Sequence, residues 1–210
     1  MHAETIEEGF LRRLPDLVTH YHSRLDPPFL NLSELPLDQL DEVIEQLKQR
    51  KEDNPNYKRV FGKLYMDFRK QTESKLRQLF EERGGKPERQ SPHYFVLGEC
   101  PWFSELYPDA EMVQLDWRTL PPEQTSFTYP DSFVSMRLGR NYGLPPEPLQ
   151  PYHERVFLMD ELASIVAKHG LPDGSIEEDY EGYQNRKFEK YIEVQLWADG
   201  PVNQYLRNSR

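Results

Sequence analysis

Tyr191-Ile192-Glu193-Val194-Gln195-Leu196-Trp197 decides the fold. Strict alternation over seven residues, with three aliphatic side chains at every second position, is the period of a β-strand rather than of a helix. Ile192, Val194 and Leu196 point to one side and belong to a core. Tyr191, Glu193, Gln195 and Trp197 point to the other, where two polar groups stand between two aromatic rings. That composition suits the wall of a ligand cleft, in which rings supply contact area and polar groups fix orientation. It equally suits a sheet face turned to solvent or covered by helices.

Working back toward the N-terminus, short apolar runs predict further strands at 93–97, 111–117, 126–129 and 155–158. One helix interrupts them: it starts at Asp160, carries Leu162, Ile165 and Val166, and stops at His169-Gly170-Leu171-Pro172. The charged segment 173–190 reads as a solvated loop. Before Lys86 the spacing is helical. Thr5 with Glu8 forms a capping box for a first helix through Tyr21, bent at Pro15; a second runs from Pro36 to Asn54; a third runs from Tyr57 to Phe80 and ends at Gly84-Gly85. The expectation is an α+β fold. About three N-terminal helices, residues 1–85, pack on a C-terminal mixed or antiparallel sheet with one helix, residues 86–210, as one continuous body.

Aromatics at 12% of 210 residues give ample bulky material for a core despite 30% charged residues. No run approaches the roughly 20 apolar residues of a spanning helix, and the N-terminus has no signal-peptide pattern, so no membrane partner and a cytoplasmic location are expected. Cys100 is the single cysteine, which excludes an internal disulfide and most structural zinc sites. The net charge is −10, and residues 91–210 hold 10 basic against 19 acidic side chains. Nucleic acid is therefore a disfavoured partner, except through the helical stripe Arg59, Lys63, Lys70 and Arg77. That stripe and the acidic second half are also complementary enough for self-association.

Gly84-Gly85-Lys86 lacks the rest of a phosphate loop and reads as a helix stop. Cys100 has Glu99 beside it, the wrong neighbour for a thiolate. His20 and His22 could share a strand face for metal binding, but two apart on a helix they do not converge on one ion, and no metal is expected.

The set Thr19-His20-Tyr21, Pro27-Pro28-Phe29, Leu32-Ser33-Glu34-Leu35, Gly84-Gly85-Lys86-Pro87, Pro92-His93-Tyr94, Leu97-Gly98, Ser126-Phe127-Thr128-Tyr129 and the 191–197 strand resembles an uncharacterised family of standalone bacterial proteins. This resemblance implies a bacterial cytosolic origin and names no activity or cofactor. His20-Tyr21, Ser126-Phe127-Thr128-Tyr129 and Glu193 with Gln195 are also similar in order to the strand motifs of ADP-ribosyltransferases, although Glu193-Val194-Gln195 reverses the usual order. The leading functional expectation is a binding or regulatory protein whose unknown small-molecule or protein partner enters a cleft between helices and sheet. Tyr191, Gln195, Trp197, His93, Tyr94, Tyr129 and Arg137 are the candidate ligand contacts. The alternative is nucleotide-directed transfer. There Glu193 would be catalytic, His20 or Arg137 would hold the dinucleotide, and Tyr129 would stack on it.

Overall fold

In the computed structural model, which describes residues 14–58, 62–142, 148–174 and 190–209, the chain builds one six-stranded sheet in the order β3-β1-β2-β6-β4-β5. The strands are β1 (Leu17–Ser23), β2 (His93–Leu97), β3 (Ala110–Asp116), β4 (Thr125–Thr128), β5 (Phe157–Leu158) and β6 (Glu193–Leu196). Every pairing is antiparallel. The helices are α1 (Leu37–Asp53), α2 (Lys63–Glu82), the short α3 (Pro101–Ser104) and α4 (Ser132–Ser135), α5 (Leu162–His169) and α6 (Gly200–Asn208). The α+β class expected from the sequence is the class adopted. No helix among the described residues is long and apolar enough to cross a membrane.

One expectation is overturned. Residues 17–21, read as the end of a bent first helix, form the inner strand β1, and residues 1–13 lie outside the described residues. Val18, Thr19 and Tyr21 are good strand residues, and Pro15 removes a helical hydrogen bond just upstream. A seven-residue register with β3, from Leu17 opposite Asp116 to Ser23 opposite Ala110, outweighs the local helical spacing. The N-terminal half thus supplies a central strand as well as helices. The C-terminal helix α6 adds an element that the sequence reading left out.

The alternation of β6 sorts the two faces. Val194 and Leu196 join Val18, Phe95, Phe127, Leu162 and Val202 in the main core, beneath α5 and α6. On the other face Trp197 lies fully buried, its ring stacked 6.2 Å from Phe80 of α2, in a second cluster with Leu76 and Val156. Gly84 and Gly85 close α2 as expected. Gly84 has φ +89°, the left-handed region that glycine tolerates, and the Gly85 N–H donates to the Phe80 carbonyl at 2.9 Å. A methyl group on Gly85 would stand 2.6 Å from the Phe80 ring.

Phe80 therefore anchors α2 to the sheet. Replacing it by alanine is expected to cost about 3–5 kcal/mol, the usual range for an emptied aromatic site, and urea titration should show a lower midpoint with an unchanged slope.

Candidate functional site

Strands β1 and β2 pair only at Val18–Leu97 and Thr19–Val96. Beyond them His20 reaches across: its Nδ1–H donates to the Tyr94 carbonyl at 2.9 Å, while Nε2 accepts the Phe29 N–H at 3.1 Å. Those two bonds assign the neutral tautomer with the proton on Nδ1. Where the strands part, a cavity of about 190 Å³ opens, lined by residues 19–23 of β1, residues 92–96 spanning β2, the loop 29–32, α1, α2 and the turn into α4.

Helix α2 supplies the charged wall. Met66, Arg69, Glu73, Leu76 and Phe80 follow a three-four-three-four spacing, so an ion pair sits on the buried seam of an otherwise apolar stripe. The Glu73 carboxylate accepts from Arg69 Nε (2.9 Å), Ser33 Oγ (3.0 Å), Tyr94 Oη (3.0 Å) and Ser91 Oγ (2.8 Å). All four partners donate, which is the pattern of an ionised carboxylate. Arg69 stacks over the Tyr94 ring at 4.6 Å, and its guanidinium plane is fixed by that stack and by Glu73. Its two Nη groups make no hydrogen bond to the described residues, and Arg69 lines the cavity.

The lining also carries two buried carboxyls. Asp131 caps α4, its Oδ1 accepting from the N–H groups of Phe133 (2.8 Å) and Val134 (3.1 Å). Oδ2 makes no hydrogen bond among the described residues, although the side chain is only 5% exposed. Glu193 accepts from Gln195 Nε2 at 3.0 Å, and its own N–H donates to the Pro130 carbonyl, which brings β6 beside Asp131. Burial, reinforced by the charge of Glu193, pushes the Asp131 carboxyl up to about 7. Burial raises Glu193 too, against the hydrogen bonds from Gln195 and Ser132 and the charge of Arg69.

The residues singled out from sequence divide. Tyr191, Glu193, His93 and Tyr94 line the cavity together, and His20 lines it beside them. Strand alternation nevertheless puts the His20 ring on the Val18 side, stacked 4.4 Å from Phe29, while Glu193 belongs to the other face. Both His20 nitrogens are engaged. His93 is buried against Asp199 (Nε2 to Oδ1, 2.8 Å), and burial lowers its pKa. Gln195 is fully buried behind the cavity, bonded to Ser126 Oγ and Thr128 Oγ1 as well as Glu193. Trp197 lies under α2. Tyr129 stands outside the cavity, its hydroxyl on the His169 and Gly170 carbonyls, and Arg137 is not among the lining residues.

Of the basic stripe, Lys63 pairs with Asp41 at 2.9 Å and Arg77 holds the Pro87 and Arg89 carbonyls; Arg59 lies outside the described residues. Cys100 is buried, and its thiol is pushed up to about 11, chiefly by burial. Among the described residues no three His, Cys, Asp or Glu side chains converge on a cation position. Sequence reasoning missed Arg69, Glu73 and Asp131. The first two were detectable as charges on a seam position, and Asp131 as an N-cap after Tyr129-Pro130.

A carboxyl raised on folding binds its proton more tightly in the native state. Its stabilising contribution is whole below about pH 4 and is lost as pH rises through 7. Asp131→Asn keeps the cap and removes the proton. Relative to this variant, the parent should lose on the order of 4 kcal/mol between pH 4 and 8, read as a steeper fall in the urea midpoint.

No family model, no curated protein and no solved structure matches this chain, so the chemistry of the cleft stands on its own side chains.

Proposed function

We propose that the chain is a cytoplasmic small-molecule-binding protein whose ligand occupies the cleft between α1, α2 and the sheet. The observation that carries this reading is the cleft's inventory: a 190 Å³ space with aromatic side chains along it and Arg69, Asp131 and Glu193 around it. Asp131 and Glu193 are buried and make no ion pair with a described residue, and a buried charged group costs several kcal/mol unless it is neutralised or paired (about 2–7 even for an uncharged polar group). A ligand that partners them gives the arrangement a purpose. The volume slightly exceeds the roughly 150 Å³ that accepts benzene in an apolar core, which matches a molecule of one ring or its aliphatic equivalent. The inert, buried Cys100 is in keeping with a reducing compartment.

Nucleotide-directed transfer with Glu193 acting on the acceptor is the competing reading, and it calls for a much larger ligand. Thermal denaturation against a panel of small amines, acids, amino acids, nucleotides and dinucleotides separates the two. A true ligand at a hundredfold excess over its Kd adds about 2.7 kcal/mol, which for this chain length raises Tm by roughly 5–10 °C. Protection by a small compound, weakened in Glu193→Gln, is the expected result. Protection confined to dinucleotides, with turnover abolished by the same substitution, would install the transferase instead. A panel that moves nothing removes the binding reading.

A further inference from the structure

The charges on the cleft come as two unmatched halves. Arg69, a lining residue, spends Nε on Glu73 while its two Nη groups make no hydrogen bond to the described residues, with its plane fixed by the stack on Tyr94. Asp131 spends Oδ1 on the α4 cap and, among the described residues, leaves Oδ2 without a hydrogen bond while more than nine-tenths buried. Glu193 stands beside Asp131 and within electrostatic reach of Arg69, yet no ion pair joins Arg69 to either carboxyl. Asp26, the other acidic residue on the lining, is already neutralised by two bonds from Arg50, at 2.8 and 2.9 Å.

A planar fork of N–H donors matches a carboxylate, and a buried carboxylate matches an ammonium. Neither an anion nor a cation alone satisfies both sets: an anion leaves Asp131 and Glu193 with no ion pair to a described residue, and a cation leaves the Arg69 fork open. A molecule with both charges a few ångströms apart satisfies them together. Tyr65, Phe68, Phe103, Phe133 and Tyr191 provide apolar contact for the remainder.

We propose that the cleft recognises a small zwitterion of the α-amino-acid type with an apolar or aromatic side chain, its carboxylate on the Nη groups of Arg69 and its ammonium on Asp131 and Glu193. This inference rests on the cleft being a ligand site and adds the chemistry of the ligand. His93 is on the lining, but its ring lies on the Phe29 side of the sheet and is held by Asp199, so it adds no free charge at neutral pH.

The test is an isosteric series measured by calorimetry on the full chain: L-phenylalanine, phenethylamine, 3-phenylpropionate and 3-phenylpropanol. Each charged contact is worth roughly tenfold or more in affinity, so phenylalanine should bind at least about tenfold more tightly than either half-molecule. Arg69→Lys retains a partner for Glu73 but loses the fork, and should bring phenylalanine down to the level of phenethylamine. Asp131→Asn retains the cap, and should bring it down toward 3-phenylpropionate. Equal binding of phenylalanine and either half-molecule overturns the proposal, as does binding of none of the four. Equal binding of the neutral alcohol overturns it while leaving the cleft as a small-molecule site.

Discussion

A sheet covered on both faces has no side on which polar residues can turn to water, and that constraint organises this molecule. On the face beneath α5 and α6 the answer is an apolar core. Beneath α2 the answer is a bonded polar layer. Trp197 Nε1–H donates to Ser126 Oγ, Ser126 donates to Gln195 Oε1, and Gln195 Nε2 continues to Thr128 and Glu193. Interior hydrogen bonds of this kind contribute modestly when made and cost more when broken, so the layer fixes the register of β4, β6 and α2 more than it adds to stability. The run ends at Glu193, which is where the layer meets the cleft.

The cleft is the continuation of that layer where the strands separate. Glu73 is saturated by four donors and holds Arg69 in place, a supporting role that leaves the outward side of the guanidinium to the cavity. On the same cavity, α4 is too short to contribute a sizeable dipole, so Asp131 depends on two backbone N–H groups for part of its solvation. Rigid supports on both walls mean that little side-chain entropy remains to be lost on binding.

The sequence made the strand register legible wherever alternation was strict. β2 falls at the residues expected, and β6 lies within the stretch that alternated. β1 was hidden because its residues also satisfy a helical spacing, and only the partner strand ninety residues downstream decides between the two. Individual site residues were harder. Glu193 and Tyr191 could be picked from their side of β6, but the same argument selected Gln195 and Trp197, which α2 covers. Depth along a strand cannot be read from alternation; it depends on where the covering helix stops. Asp131 and Arg69 reach the site from turns and seams whose meeting is a tertiary event.

The position of β6 has a consequence for how the chain acquires its structure. Last of the six strands in chain order, β6 inserts between β2, about a hundred residues upstream of it, and β4, about seventy upstream. Until it arrives, both neighbours present open hydrogen-bonding edges, and the nascent sheet consists of two separate pieces. Pairings of such high sequence separation fold slowly, and open edges invite intermolecular pairing. The vulnerable interval in the folding of this protein is therefore the one before β6 pairs with both neighbours, when a folding helper has most to protect.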